Sequence, residues 1–166
     1  MKKSRLKNLT LLGKAKTLYP KSPDIARLET FDNAVCRDYD VKFETDEFTS
    51  MCPVTGQPDF AGIQIEYIPA KKCIESKSLK LYLFSFRNVG MFAEDIANRI
   101  LDDIVKTAKP KKAKVTVVFK ARGGIGITVE AKYGEQITKD EKCGTKDGKH
   151  GAGNENGKQG KGFKGL

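Results

Sequence analysis

Long apolar runs are absent from this sequence of 166 residues. No stretch approaches the roughly 20 consecutive apolar residues that a membrane-spanning helix requires. The most apolar stretch near the N-terminus, residues 9–12, is too short for the core of a secretion signal. Hydrophobic residues still make up 39% of the chain, which is enough for the core of one ordinary domain. We therefore expect a soluble, cytoplasmic protein.

The sequence is also poor in the residues that hold metals and build disulfide frameworks. None of its four cysteines belongs to a C-x-x-C pair, and its single histidine, His150, lies in a glycine-rich tail. A structural zinc site needs several thiolate or imidazole ligands, and disulfide frameworks belong to oxidising compartments. The sequence therefore predicts no metal site and free thiols at all four cysteines, which are Cys36, Cys52, Cys73 and Cys143.

The positive charge is confined to the two ends of the chain. Of the formal net charge of +10, residues 1–21 contribute +7 and residues 144–166 contribute +3, so the middle is neutral overall. Basic ends could serve as arms that touch phosphates, and a nucleic-acid-binding module stays open as an alternative. The neutral middle counts against it, and we expect no stable nucleic-acid partner.

Composition divides the chain into three parts. Residues 1–40 form an N-terminal arm, residues 41–133 form the folded domain, and residues 134–166 form a tail rich in glycine and lysine. The last 23 residues contain eight glycines and five lysines, too little apolar surface to offset the entropy of ordering. We expect this tail to be disordered.

The pattern of the middle part predicts an α+β unit. Its clearest signal is an apolar stripe that recurs every four residues from Phe92 to Ala108 and that Pro110 closes, as in an amphipathic helix. In order, the predicted elements are an irregular strand over residues 41–51, a strand over 63–67, a short helix over 76–84, the helix over 92–108, and a hairpin of 115–119 and 125–129 around Arg122-Gly123-Gly124. This order is not the β-α-β alternation of a doubly wound sheet. Neither a G-x-G-x-x-G nor a P-loop motif is present.

The segment of residues 52–60, CPVTGQPDF, pairs a thiol with a carboxylate in a turn-rich loop. Its prolines and glycine could fold the chain back and bring Cys52 and Asp59 to one cleft. An ionised thiol is a strong nucleophile, and a carboxylate beside it can shuttle protons. The alternative is a buried cysteine next to a surface aspartate.

Two further segments carry charged residues at suggestive spacings. Lys77 and Lys80 lie three residues apart in the predicted short helix, so one face could bind phosphates, unless that face is merely solvated. Glu94 opens the long helix, where the helix dipole favours a carboxylate. Its place between Ala93 and the stripe residue Ile96 also predicts an inward side chain, which would need a partner such as the N–H groups of a ligand.

Together, residues 52–60, 75–82 and 86–94 resemble the signature segments of 7-cyano-7-deazaguanine reductases, the nitrile reductases of queuosine biosynthesis, in their short single-domain form. The similarity extends from about residue 9 to residue 133 and includes Arg122-Gly123-Gly124. It implies the tunnelling fold, β-β-α-α-β-β, in which an antiparallel sheet carries its helices on one face and the subunits assemble into rings.

The resemblance implies a covalent reduction with NADPH as the cofactor. Cys52, as a thiolate, would attack the nitrile carbon of 7-cyano-7-deazaguanine and form a thioimide. Asp59 would protonate the nitrogen and help to deprotonate Cys52. Two hydride transfers would complete the four-electron reduction to 7-aminomethyl-7-deazaguanine, a step of tRNA queuosine biosynthesis.

The resemblance also implies the binding residues. Glu94 would orient the base, within a substrate pocket that includes Ile74, Glu75, Ser76, Ala93 and Glu94. NADPH would be held by Ser76, Lys77, Lys80 and Arg122. Many members of the family carry histidine immediately before the base-binding glutamate, where this chain has Ala93. That substitution removes any imidazole from the predicted proton transfer at this position.

Such a fold leaves strand edges open, and edge pairing closes the rings of the family. The resemblance therefore implies a homo-oligomer, a decamer of two stacked pentamers with active sites between subunits.

Two other functions of related proteins compete with the reductase. One is that of a relative that adds ammonia to the same nitrile in tRNA and forms an amidine. Another is a cyclohydrolase of this fold that acts on GTP with zinc held by cysteine and histidine. Residues 75–82, as the NADPH segment, favour the reductase.

Overall fold

The computed structural model describes residues 9–11 and 17–134. Its elements are β1 (Thr30–Asp32), β2 (Val41–Met51), β3 (Pro58–Ile68), β4 (Lys72–Ile74), α1 (Ser76–Phe84), α2 (Ala93–Ala108), β5 (Lys112–Arg122) and β6 (Ile125–Tyr133). The long elements confirm the predicted α+β class and the predicted order of strands and helices. The three-residue strands β1 and β4 have no counterpart among the predicted elements.

The four long strands form one antiparallel sheet in the order β2-β3-β5-β6. The register between β2 and β3 shifts between Thr45 and Phe48, which is the irregularity that the sequence predicts for the first strand. β5 and β6 form the predicted hairpin. Its turn uses Gly123 and Gly124 at φ values of 61° and 84°, a region that glycine enters without steric cost. Within the described residues β2 and β6 each pair on one side only, so both are edge strands.

Both helices pack on one face of this sheet. The inward residues of the strands alternate with exposed ones, and the stripe of α2 faces them, as the periodicity predicts. The shared core includes Ala61, Ile63, Ile65, Tyr67, Val115, Val117, Leu79, Tyr82, Ile96, Ile100 and Ile104. Phe92 is an exception to the predicted stripe. It is the extended N-cap residue of α2 and is mostly exposed, so the helix begins one residue later.

The two helices are also joined by a polar contact at the edge of the core. The hydroxyl of Tyr82 in α1 donates to a carboxylate oxygen of Asp103 in α2 at 2.7 Å. Nε of Arg99 donates to the same oxygen at 2.8 Å. α2 ends at Ala108, and its C-cap residue Lys109 takes a left-handed conformation before Pro110. Neither helix of the described part has the length and hydropathy of a membrane span.

Part of the predicted N-terminal arm is built into the fold. β1 pairs antiparallel with β4, with Thr30 opposite Ile74. The buried carboxylate of Glu29 accepts hydrogen bonds from the backbone N–H groups of Thr10 at 3.0 Å and Leu11 at 3.2 Å. Hydrogen bonds therefore hold the described residues of the arm against the domain.

The chain divides into two units, Met1–Glu135 and Gln136–Leu166. The tail predicted to be disordered, residues 134–166, lies outside the described residues except for Gly134. The predicted division into arm, domain and tail stays a prediction.

Candidate active site

Cys52 lies immediately after β2, at the start of a tight loop. The backbone N–H of Cys52 donates to the carbonyl of Gln57 at 2.8 Å, and the N–H of Gly56 donates to the carbonyl of Cys52 at 2.9 Å. Gly56 has a φ of 67°, which favours glycine at this turn. The loop closes on itself and leaves Cys52 only 9% exposed.

The Cys52 sulfur is surrounded by hydrogen-bond donors. These are the hydroxyl of Thr55, the guanidinium of Arg122 and the backbone N–H groups of Thr55 and Val54. Together, in that order of weight, they lower the pKa of the Cys52 thiol to about 6, against the opposing effect of desolvation. Hydrogen bonds and a nearby cation favour the charged form of a thiol. Cys52 is therefore largely a thiolate at neutral pH.

Asp59 belongs to the same cluster as Cys52. It lies near the start of β3, and one of its carboxylate oxygens pairs with Nη1 of Arg122 at 3.1 Å. The same guanidinium donates to Oε1 of Gln57 at 3.4 Å and hydrogen-bonds the Cys52 sulfur. The fold thus brings the thiol and the carboxylate of residues 52–60 together through one arginine, which the sequence analysis assigned to cofactor phosphates.

The segment that leads into α2 is fastened beside Cys52. Met51 donates to the carbonyl of Val89 at 3.0 Å, and Met91 donates to the carbonyl of Met51 at 3.2 Å. A Cβ on Gly90 would lie 3.1 Å from Cα of Pro53, so the two backbones approach closely there. These contacts set the first turn of α2 next to the loop of Cys52.

Glu94 departs from its predicted orientation. It is exposed at the first turn of α2, so the expectation of an inward side chain is wrong for the described chain. The buried face of α2 includes Ile96 and Ala97, whereas position 94 lies on its exposed side. Its carboxylate makes no hydrogen bond to any described residue. Ala93, immediately before it, is half-buried.

The predicted substrate residues around β4 have different environments. Ile74 is buried, and its N–H donates to the hydroxyl of Tyr67 at 3.0 Å. Glu75 is 5% exposed, and its carboxylate caps α1 by accepting from the N–H groups of Lys77 at 2.9 Å and Ser78 at 2.7 Å. Ser76 is exposed. The capping role of Glu75 was not predicted, although a glutamate before a short helix could have suggested it.

A cleft of about 640 Å³ separates α1 from β2. Ser76, Lys80 and Arg87 line one side, with Glu44 and Glu47 on β2. Lys77 does not line this cleft, because its Nζ donates to the carbonyl of Leu11 at 3.0 Å. Arg122 does not line it either.

Four residues near these features were missed by the sequence analysis. Thr55 and Gln57 lie inside a segment that had been singled out, but nothing in their spacing shows that they reach Cys52 and Arg122. Arg87 stacks its guanidinium over the ring of Phe84 at 3.9 Å. Ser50 is fully buried beside the cluster, directly opposite Asp59 in the β2–β3 ladder, and its hydroxyl has no hydrogen-bond partner among the described residues.

The thiols and carboxylates form no metal centre in the described part of the chain. No group of three or more histidine, cysteine, aspartate or glutamate side chains is placed there to hold an ion. Cys36, Cys52 and Cys73 are free thiols, and Cys143 lies outside the described residues. Fold and site thus define an α+β protein of the class that carries an ionised cysteine as a candidate nucleophile.

Comparison with known proteins gives the family. A family model described as QueF-like protein matches residues 58–138. The chain is 56% identical over 140 residues to the NADPH-dependent 7-cyano-7-deazaguanine reductase of Bacillus cytotoxicus, covering 82% of this chain and 84% of that protein. It is 53% identical over 144 residues to the enzyme of the same name from Bacillus subtilis, covering 85% and 86%. The chain belongs to the family of NADPH-dependent 7-cyano-7-deazaguanine reductases.

A solved structure supports the fold. The chain is similar to an archaeosine synthase, QueF-Like, in its apo form, with a TM-score of 0.54 and 26% identity. The match covers 57% of this chain and 93% of that one. The tunnelling-fold order that the resemblance implied is therefore confirmed at the level of the single chain.

Proposed function

We propose that this protein reduces the nitrile of 7-cyano-7-deazaguanine to 7-aminomethyl-7-deazaguanine with NADPH, in the queuosine pathway of tRNA modification. Relatives of that name share 51–56% of their aligned residues with this chain. The single observation that carries the proposal is the cluster of Cys52, Arg122 and Asp59 at the loop that follows β2, in which the pKa of the Cys52 thiol is lowered to about 6. A nitrile carbon is electrophilic, and a thiolate can add to it directly.

Cys52 and Asp59 have separate roles in the first chemical step. The Cys52 sulfur forms a bond to the nitrile carbon, one C–N π bond breaks, and its electron pair goes to nitrogen. Asp59 relays a proton from solvent to that nitrogen, which gives a neutral thioimide. A thioimide accepts hydride far more readily than a nitrile does.

The substrate residues are proposed from the resemblance of their segments to those of the family. Glu94 is exposed and without a partner among the described residues, so its carboxylate is available to pair with N–H groups of the base. Ala93 lies beside it, where it leaves room but no imidazole. Ile74 and Ser76 are the other residues of the proposed pocket. Glu75 lies between them in sequence and stabilises the start of α1 by capping it.

The cleft between α1 and β2 suits part of a dinucleotide. Its volume of about 640 Å³ is typical of a ligand pocket, and Ser76, Lys80 and Arg87 present a hydroxyl and two cations on one side. Lys77 lies on the same helix, and Arg122 is the remaining proposed contact from the predicted set. Lysine and arginine bind phosphate groups as charge-assisted donors. Each NADPH would supply one hydride when bound, so two NADPH molecules in turn would complete the two two-electron reductions.

We also propose a ring assembly, a decamer of two stacked pentamers. The edge strands β2 and β6 expose unpaired backbone groups within the described chain. Ile125, Ile127 and Tyr133 on β6 remain exposed, which is unfavourable for a lone subunit. Pairing of β6 with β2 of a neighbouring subunit would satisfy the backbone groups of both edges.

A cytoplasmic location and the lack of a stable nucleic-acid partner stay predictions from the sequence.

A second candidate function is amidine formation on the same nitrile in tRNA. It is favoured by the structural similarity to an archaeosine synthase. The higher identity to reductases over most of the chain, and the cations of α1, favour the reductase.

The test is to mix the purified protein with 7-cyano-7-deazaguanine and NADPH and to follow the absorbance of NADPH. We expect two NADPH oxidised per nitrile, with activity lost in Cys52→Ala and kept in the matched control Cys36→Ala, since Cys36 is exposed and outside the cluster. A Cys52-dependent adduct without NADPH oxidation would refute the reductase and favour the amidine-forming reaction.

A further inference from the structure

Arg122 occupies an unexpected place in the structure. It is the last residue of β5, before the hairpin turn, and its guanidinium lies against Cys52, Asp59 and Gln57. It does not line the cleft proposed for NADPH. An arginine that serves only cofactor phosphates has no need to contact the nucleophile.

We propose that Arg122 is a catalytic residue of the first chemical step, in which its guanidinium stabilises the Cys52 thiolate before attack and fixes the Asp59 carboxylate beside it. The inference rests on the proposed function in one respect, that this thiolate attacks the substrate. The ionisation of Cys52 can be measured with no substrate or cofactor present.

The geometry supports a role for the cation rather than a chance contact. Nη1 of Arg122 donates to Oε1 of Gln57 at 3.4 Å and forms an ion pair with Asp59 at 3.1 Å, so two oxygens orient the guanidinium beside the loop of Cys52. Gln57 is fixed in turn, because its carbonyl accepts the N–H of Cys52 at 2.8 Å. The loop that holds the nucleophile thus also supplies an acceptor that orients the arginine.

The other groups around Cys52 come from several elements. Its own loop contributes the Thr55 hydroxyl and two backbone N–H groups, β3 contributes Asp59, and β5 contributes Arg122. The neighbouring residues 89–91 carry no titratable side chain, and Glu94 stands exposed at the start of α2. Among the described residues, Arg122 is therefore the one cation that lowers the pKa of the Cys52 thiol, and it also pairs with the Asp59 carboxylate.

This arrangement changes the division of labour between Cys52 and Asp59. The Thr55 hydroxyl, Arg122 and two backbone N–H groups together lower the pKa of the Cys52 thiol to about 6, so Asp59 is not required as its base at neutral pH. The Asp59 carboxylate then relays one proton from solvent to the nitrogen as each thioimide forms, and is a carboxylate again after the transfer. The positive charge of Arg122 remains close to both groups throughout the step.

The experiment is alkylation of Cys52 by iodoacetamide as a function of pH, followed by mass spectrometry on the peptide that contains Cys52. In Arg122→Gln we expect the rate at about pH 6 to fall by roughly threefold to tenfold, with the limiting rate at high pH unchanged. An adjacent cation favours the thiolate, and Arg122 is 49% exposed, so solvent screens part of its effect. Arg122→Lys should restore most of the rate.

Lys120→Gln is the matched control. Lys120 is exposed on the same strand, two residues away, and has the same formal charge. Its loss should leave the pH profile unchanged if direct contact matters rather than net charge. An unchanged profile in Arg122→Gln, in a protein with wild-type circular dichroism, would overturn the proposal and leave Arg122 as a structural partner of Asp59.

The two proposals fail in different ways. A shifted alkylation profile without NADPH oxidation by the wild type would support the role of Arg122 and reject the proposed substrate. NADPH oxidation by the wild type with an unshifted profile in Arg122→Gln would keep the reductase and reject the role of Arg122.

Discussion

The cap of α1 gives the sharpest prediction about stability. Glu75 is 5% exposed, and its two carboxylate oxygens each accept a backbone N–H at the start of α1, at 2.9 Å and 2.7 Å. The same helix carries Lys77 and Lys80, which we propose to bind NADPH. Glu75→Ala removes both acceptors without changing either lysine, so it separates the role of Glu75 in holding the helix from any contact with substrate.

The expected cost follows from these two hydrogen bonds. Loss of a helix N-cap costs about 1 kcal/mol, and a hydrogen bond to a charged group is worth about 1.5–3 kcal/mol. Ser78 is fully buried, so its N–H loses its partner without access to water. We therefore expect Glu75→Ala to lower the free energy of unfolding by about 2–4 kcal/mol, or the Tm by roughly 8–15 °C for a domain of this size. Glu75→Gln keeps neutral acceptors and should lose about half as much.

The assay is thermal unfolding by circular dichroism at one fixed protein concentration, because assembly makes Tm depend on concentration. Asp102→Ala is the matched control, since Asp102 is an exposed carboxylate in the middle of α2 and its loss should change stability by less than about 0.5 kcal/mol. A Tm of Glu75→Ala within 2 °C or so of wild type would refute the reasoning. The capping role would then be unimportant.

Three other predictions follow from the site. Because the active form of Cys52 is the thiolate and its pKa is lowered to about 6, kcat/KM should be flat near neutral pH and fall about tenfold per unit below that value; a flat rate down to about pH 5 would contradict this. Ser50→Ala removes a buried hydroxyl without a partner, so it should stabilise the protein by about 1 kcal/mol in urea unfolding, whereas destabilisation would mean that the hydroxyl is satisfied. Gly90→Ala places a Cβ 3.1 Å from Cα of Pro53 and should displace the loop of Cys52, lowering kcat/KM several-fold. The control Gly126→Ala, whose Cβ makes only ordinary contacts, should leave kcat/KM unchanged. Equal rates in both variants would show that the loop accommodates the added methyl group without moving Cys52.

The parts of the fold that were predictable are those with strong local periodicity. The stripe of α2 and the hairpin around Gly123-Gly124 depend on residues close in sequence, and both were located to within a few residues. Phe92 was misassigned because an apolar residue one step before a helix keeps the same spacing as the helix itself. β1 and β4 were missed because strands of three residues carry no periodicity and exist only through pairing with each other.

The exposed side chain of Glu94 shows that the sequence neighbours of a residue do not by themselves predict its burial. Its neighbours Ala93 and Ile96 suggested an inward side chain, but at 100° per residue the buried arc of α2 begins at Ile96. Arg122 shows the same limit for predicting which residues interact with each other. It lies 70 residues from Cys52 along the chain, and no local pattern reports on an interaction across that distance.

The sequence by itself determined the alternation of elements, the neutral folded middle and the presence of a thiol and a carboxylate in one short loop, because these depend on local composition and spacing. Its signature segments also determined the family. Only the tertiary structure decided which cation meets Cys52. The antiparallel pairing of β3 with β5 carries the end of β5 to the start of β3, and so brings Arg122 to Asp59 and to the sulfur. The loop of Cys52 itself supplies Thr55 and the backbone N–H groups that favour the thiolate, and the folded sheet adds the cation.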